Sequence, residues 1–278
     1  MPSSARVVSI ASFDFPESEL LAQIYAGALR AKGFPVAVVS GVGSRELVQP
    51  ALKRGLIQMV PEYAGSALSF LTLGKNVSAS DVAATNRALR NVLARSGLIP
   101  LKPAPAQDAN AIVVTRRIAT QYGLRSISDL ALHAGELRFG GPSECPVRPF
   151  CLAGLKETYG LTFKEFVPLD TGGPLTRQAL EAQQIDVALM FTTDPYISRD
   201  ELVMLADDRG LQPSENVTPI LRDDVIARFG PAFTAAVDRV SEKLTTDALR
   251  NLNGLVSFGG GAATSVARDW LGAQGLAR

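Results

Sequence analysis

Arg6-Val7-Val8-Ser9-Ile10-Ala11-Ser12-Phe13-Asp14-Phe15-Pro16 sets the reading of the whole chain. The apolar run that follows Arg6 predicts a buried strand, and Pro16 suits the first turn of a helix. Leu20, Leu21, Ile24, Tyr25, Ala28 and Leu29 then recur at three- and four-residue steps until Gly33 closes the pattern. Working outward, residues 35–39 predict a second strand, Gly43-Ser44 opens a helix that runs to Gly55, and residues 57–60 predict a third strand. Strand, helix, strand, helix, strand implies a parallel sheet covered on both faces. Further helices are expected over 63–71 and 80–95.

Pro100, Pro103 and Pro105 then interrupt the pattern, as a crossing between lobes would. Beyond them the alternation restarts, with strands expected over 111–115, 137–140, 163–167, 185–190 and 202–205, and helices over 128–132, 152–159 and 175–182. Asp207-Asp208-Arg209-Gly210-Leu211-Gln212-Pro213 suits a return crossing. A strand over 218–221 and helices over 229–244, 246–252 and 262–271 complete the chain. The expectation is an α/β fold of two lobes joined by two crossings, the first lobe from 1–106 with 211–278 and the second from 107–210. A cleft between two such lobes is where a small ligand would bind.

Composition narrows the function. The 278 residues carry 28 Lys and Arg against 27 Asp and Glu, a net charge of +1, and no run of five like charges. That balance argues against a nucleic-acid footprint or a polybasic membrane patch. No stretch approaches the roughly 18 apolar residues of a membrane span, and Met1 to Arg6 lacks the apolar core of an export signal.

Two cysteines, Cys145 and Cys151, flank a stiff loop that holds Pro146 and Pro149. With His133 the lone histidine, a tetrahedral zinc site lacks ligands, so no metal is expected. A disulfide across the loop would imply an oxidising compartment; the alternative is a pair of unlinked, partly buried thiols. His133 ends a helical pattern and suits a capping role, and without a second histidine a serine-histidine-acid hydrolase has no base. Neither a phosphate-binding lysine loop nor a dinucleotide glycine fingerprint is present, so no cofactor is expected. The remaining candidates are loop residues at strand ends, where ligands of open α/β sheets gather. They are Ser12 to Asp14, Ser44, Glu62 to Ser66, Asn110, Glu144 to Arg148, Phe191 to Asp194 and Glu215; each also fits ordinary turn and capping chemistry.

At these loops the chain resembles a known family. Gly55-Leu56-Ile57-Gln58-Met59-Val60-Pro61-Glu62-Tyr63-Ala64-Gly65-Ser66 is similar to the Glu-Tyr-Thr-Gly-Thr signature of glycine betaine, choline and related osmoprotectant substrate-binding proteins of ATP-binding-cassette importers. Ala11 to Glu17, Gly43-Ser44-Arg45, Pro103-Ala104-Pro105-Ala106, Gly140 to Arg148 with Tyr159-Gly160, Thr192-Thr193-Asp194 and Val266 to Gly275 extend the resemblance over nearly the whole chain. It implies a bilobal, periplasmic-binding-protein-like fold of type II, an extracytoplasmic location in the periplasm or as a cell-surface lipoprotein, a monomer, and permease and ATPase partners. It also implies a non-enzymatic role: closure of the lobes around one ligand.

In that family, the resemblance implies, a cage of tyrosines holds a quaternary ammonium group while an arginine and hydroxyls hold the carboxylate. Here Tyr63 matches the first cage tyrosine, Arg148 the clamping arginine and Ser66 the assisting hydroxyl. Asn110, Phe191 and Glu215 stand where the family offers further tyrosines, and Phe13 where it often has a lysine. The expected ligand set is therefore Ser12, Phe13, Asp14, Ser44, Tyr63, Ser66, Asn110, Glu144, Arg148, Phe191, Thr192 and Glu215. Two cage rings replaced by polar groups point to a small polar ligand, zwitterionic or polyhydroxylated, aromatic ones included, with glycine betaine not the best; Phe258 or Tyr196 could supply a ring instead. The alternatives are a true quaternary-amine binder, and an enzyme or sensor domain on the same fold.

Overall fold

Apolar strands and amphipathic helices alternate along the chain, and the computed structural model describes residues 7–75, 81–199 and 202–277. Arg6 and Ser80, the expected starts of a strand and a helix, lie outside the described residues. In chain order the elements are β1 (Val8–Ala11), α1 (Pro16–Ala31), β2 (Val36–Val39), α2 (Arg45–Lys53), β3 (Met59–Tyr63), α3 (Ala64–Leu71), α4 (Val82–Leu93) and β4 (Leu98–Pro100). Then come β5 (Asn110–Thr115), α5 (Arg116–Tyr122), β6 (Arg138–Pro142), α6 (Leu152–Tyr159), β7 (Glu165–Leu169), α7 (Pro174–Glu181), β8 (Val187–Phe191), α8 (Pro195–Arg199) and β9 (Leu202–Met204). The last are β10 (Val217–Arg222), α9 (Asp223–Phe229), α10 (Pro231–Lys243), α11 (Thr246–Ser257) and α12 (Ala263–Ala273).

The chain divides into two units, Met1–Gln107 with Glu215–Arg278, and Asp108–Ser214. Unit 1 holds a five-stranded sheet in the order β2-β1-β3-β10-β4, and unit 2 one in the order β7-β6-β8-β5-β9. Both sheets are mixed, which corrects the expectation of a parallel sheet in the first. Four strands run the same way in each, but β10 is antiparallel to its neighbours β3 and β4, and β5 to its neighbours β8 and β9. The reason lies in the connectivity: each of these strands begins just after the chain has crossed from the other unit. Such a strand enters where the parallel strands end, so it runs against them.

That register matters for function. Val217 pairs with Tyr63, and Asn110 with Phe191, so each entering strand starts beside the carboxyl end of a parallel strand. In unit 1 the crossing segments are pinned together. Gln107 bridges Asn216, the Val217 N–H donates to the Ala106 carbonyl at 3.0 Å, and the Asn216 amide donates to the Ala104 carbonyl at 2.7 Å.

Most elements lie where the hydrophobic pattern puts them, and the exceptions are short or polar. β3 runs on to Tyr63, past the expected end at Val60, because Pro61 masks the strand pattern. The expected helix over 229–244 is α10, and Gly230 with φ of +69° separates it from α9. Residues 127–132 form a 3-10 turn rather than an α-helix. Elements β4, α5, α8 and α9 carry no periodicity that predicted them.

Unit 1 closes around one core in which α1 is buried along Leu20, Leu21, Ile24, Tyr25, Ala28 and Leu29, beside Ile10, Met59 and Phe233. In unit 2 the sheet has apolar clusters on both faces. Phe139, Leu155, Tyr159 and Val187 belong to one, and Val113, Leu180, Ile185 and Met190 to the other. Among the described residues no helix is long and apolar enough to cross a membrane.

Candidate functional site

In unit 1 the loops after β1, β2 and β3 and the approach to β10 meet at the carboxyl end of the sheet. Phe15 is extended (φ −138°, ψ 154°), so Phe13 and Phe15, two residues apart, project to the same side. Their rings stack at 6.0 Å between centroids and 3° between planes, and Phe15 lies 6.0 Å from the Tyr63 ring. The Arg45 guanidinium sits over the Phe13 ring, 5.1 Å from its centroid, so a cation and three rings lie in contact. The Tyr63 hydroxyl donates to buried Glu17 at 2.7 Å, and the Asn253 amide donates to the other Glu17 oxygen at 2.6 Å, which orients the ring.

The same guanidinium enters a buried ion pair. Arg45 donates Nε and Nη2 to the two oxygens of Glu62, each at 2.9 Å, and Glu62 is wholly buried. Glu62 also accepts from the Gln49 amide at 2.9 Å and from the Tyr63 N–H at 3.0 Å. Burial would lower the Arg45 pKa, but the charge and hydrogen bonds of Glu62 outweigh it and raise the value. Glu215, 3% exposed, accepts the Ser66 N–H at 3.0 Å and the Ser66 hydroxyl at 2.5 Å. Ser66 is the third residue of α3, and Tyr63 at the N-cap has no side-chain oxygen bonded to the first turn. The Glu215 carboxyl, two residues before β10, therefore does the capping. Burial pushes the Glu215 carboxyl up to about 7, against the Ser66 hydrogen bonds and the Arg45 charge; Glu62 adds to the rise.

Ser12, in the expected ligand set, is fully buried, donates to the Phe13 carbonyl at 2.8 Å and accepts the Gly41 N–H at 2.9 Å, so it braces the loop. Ser44 donates to Glu46 at 2.7 Å at the start of α2, and Asp14 is exposed. Phe13, Tyr63, Ser66 and Glu215 are the expected residues that unit 1 draws together. Glu62, a candidate from its loop, joins them, as do Phe15, Arg45 and Glu17, which lie in the quoted motifs but outside the expected ligand set.

In unit 2 the expected residues cluster around a loop closed by the Cys145–Cys151 disulfide. Arg148 lies inside that loop, half-buried, with its N–H on the Cys145 carbonyl at 3.2 Å; its own carbonyl accepts the Cys151 N–H at 3.1 Å. Asn110, half-buried, donates to the Phe150 carbonyl at 3.0 Å, and Gln212 donates to the same carbonyl at 3.1 Å. Gly154 packs so tightly under the loop that an added Cβ would lie 1.7 Å from the Pro149 carbonyl oxygen, so α6 needs glycine there. Glu144 is half-buried and accepts from Ser143 at 3.3 Å. The Thr192 hydroxyl accepts the Ala109 N–H at 3.0 Å and donates to Asp108 at 3.3 Å, tying β8 to the first crossing strand; Phe191 pairs with Asn110 beside it.

The disulfide encloses a short loop, so on the chain-entropy account it contributes about 2 kcal/mol. Replacing both cysteines with alanine should lower the unfolding free energy by about that amount in chemical denaturation. An unchanged midpoint in denaturant would show that the loop is held without the bond. Among the described residues no cluster of three or more His, Cys, Asp or Glu side chains could hold a metal ion.

Comparison with known proteins adds to this geometry. The family model OpuAC, described as the substrate binding domain of the ABC-type glycine betaine transport system, matches residues 6–273. A glycine-betaine-binding protein of Pseudomonas aeruginosa is 30% identical over 97% of this chain and 88% of its own length. The ergothioneine transport permease/ergothioneine binding protein EgtU of Helicobacter pylori is 26% identical over 94% of this chain and 47% of its own. Among solved structures, one of a glycine betaine/carnitine/choline ABC transporter is similar with a TM-score of 0.76 at 23% identity, covering 98% of this chain and 100% of that one. Apo YehZ from Escherichia coli is similar with a TM-score of 0.68 at 26% identity, covering 97% and 99%.

Proposed function

Because this chain belongs to the OpuAC family, the substrate-binding domains of ABC-type glycine betaine transport systems, we propose that it captures a small zwitterionic or polyhydroxylated solute, aromatic ones included. It is a substrate-binding component of an importer, working with permease and ATPase partners. In this reading it acts outside the cytoplasm as a monomer, periplasmic or lipid-anchored, and releases its ligand unchanged. The Cys145–Cys151 disulfide supports an oxidising compartment.

The observation that carries the ligand class is how the chemistry is distributed. Unit 1 holds the rings of Phe13, Phe15 and Tyr63, and the buried Glu215 carboxyl on Ser66 three residues after Tyr63, which suits a cationic or N–H end. Unit 2 carries Arg148 on a loop pinned by a disulfide and by two amides on one carbonyl, which suits a carboxylate end.

A thermal-shift screen over quaternary amines, amino acids, betaines including ergothioneine, sugars and phenolics tests this, because a ligand of the folded state raises the melting temperature. A melting temperature unmoved by every compound of the screen would refute the reading. Arg148→Ala should weaken binding of a carboxylate-bearing hit by about 2 kcal/mol or more, roughly thirtyfold in Kd by calorimetry. Near-wild-type affinity would mean that Arg148 meets no acid group. A second reading, a true quaternary-amine binder, draws on the three rings. Glycine betaine affinity at micromolar level or tighter would decide for it.

A further inference from the structure

The charges gathered in unit 1 do not balance. Arg45 commits both of its bonding nitrogens to Glu62, and Glu62 is further occupied by Gln49 and the Tyr63 N–H. Glu215 lies in the field of the same guanidinium, yet among the described residues its carboxylate meets no cation within ion-pair distance and takes its hydrogen bonds from Ser66. Each carboxylate oxygen accepts about two hydrogen bonds, so each keeps capacity for one more. The donors that Glu215 does take, the Ser66 N–H and hydroxyl in the first turn of α3, are those that an incoming anion would use.

We infer that Glu215 is a built-in anion that sets specificity: it keeps a ligand carboxylate off the start of α3 and accepts an N–H from a protonated amine or ring nitrogen. The chain would then prefer N–H-bearing cations to their fully methylated counterparts. This rests on the substrate-binding reading above and names the substrate class. A quaternary ammonium group has no proton to donate and is held by ring faces and diffuse charge alone. A tertiary ammonium group donates a charge-assisted hydrogen bond to a desolvated carboxylate, a stronger contact. The charged groups that act on Glu215 are Arg45 from α2 and Glu62 from β3, with opposite signs, and Ser66 from α3 supplies the neutral donors. Burial holds the carboxyl near neutrality, at about 7, so the ionised fraction rises across the pH range in which aliphatic amines stay protonated.

Calorimetric titration of the full chain with two matched pairs tests this: choline against dimethylaminoethanol, and glycine betaine against dimethylglycine. In the wild type the tertiary member should bind about tenfold tighter or more. Its affinity should rise about tenfold between about pH 6 and about pH 8, as the ionised fraction climbs from roughly a tenth to roughly nine tenths. Glu215→Gln, close in shape, should abolish both the preference and the pH dependence, and Glu215→Tyr should shift the preference towards choline. Equal or tighter binding of the quaternary members by the wild type, or a preference that survives Glu215→Gln, overturns the inference. Failure of the wild type to bind any of the four also overturns it. In that case the substrate-binding reading stands if the screen yields another solute whose affinity falls on Arg148→Ala, and falls with it otherwise.

Discussion

Glu62→Ala should cost about 3 to 5 kcal/mol of unfolding free energy, the range for removing one partner of a buried ion pair. Four groups lose their acceptor at once: two guanidinium nitrogens of Arg45, the Gln49 amide and the Tyr63 N–H. The Arg45 side chain is only 15% exposed, so water cannot replace the lost carboxylate without local opening. Glu62→Gln should cost less, because an amide oxygen can still accept. A double replacement, Arg45→Met with Glu62→Leu, should restore much of the loss, since apolar groups of similar volume avoid desolvating either charge. The single tryptophan, Trp270, packs half-buried against the unit 1 core and reports the transition by fluorescence. A loss below about 1 kcal/mol for Glu62→Ala would mean that the pair is solvated and gives little net stability.

Much of this fold is legible in the residues because its strands are apolar runs and its long helices are amphipathic. Residues 6–60 spell strand, helix, strand, helix, strand, and the α1 stripe from Leu20 to Leu29 is the buried face. The direction of β10 is not legible, because its partner Tyr63 lies more than a hundred residues earlier and no local pattern encodes antiparallel pairing at that separation. The site divides in the same way. Tyr63, Ser66, Arg148 and Glu215 stand out through motif order, but residue type does not say what a side chain is already bonded to. Ser12 and Asn110 stand among the expected ligand groups, yet the Ser12 hydroxyl bonds Gly41 and Phe13 and the Asn110 amide N–H bonds Phe150. Phe15 was visible in principle, since Phe13-Asp14-Phe15 is an alternation that an extended loop turns into one face. The Arg45–Glu62 pair was not, because the partners come from a helix start and a strand end whose approach only the assembled sheet defines.

The stability of the empty protein should fall as pH rises from about 4.5 to about 7, and Glu215 should be a main cause. Below that window its carboxyl is protonated in the folded and unfolded chains alike. Within it the unfolded chain, near the ordinary value of 4.5, has released its proton while the folded chain, at about 7, still holds one. Because the folded state then binds more protons, each rise in pH favours unfolding, and the penalty levels off above about pH 8 at about 3 kcal/mol. Glu215→Gln removes this slope. The difference between wild type and variant, measured by urea unfolding at several pH values, isolates this carboxyl from every other titrating group. The variant should gain on the wild type steadily between about pH 5 and about pH 8, reduced throughout by its weaker bonds to Ser66. A constant difference would show that Glu215 is ionised at its usual value and well solvated, and would remove the physical basis for its pull on a cation. A rising difference would mean that the folded protein keeps an anion at a standing cost to its own stability, one that a bound N–H cation would relieve.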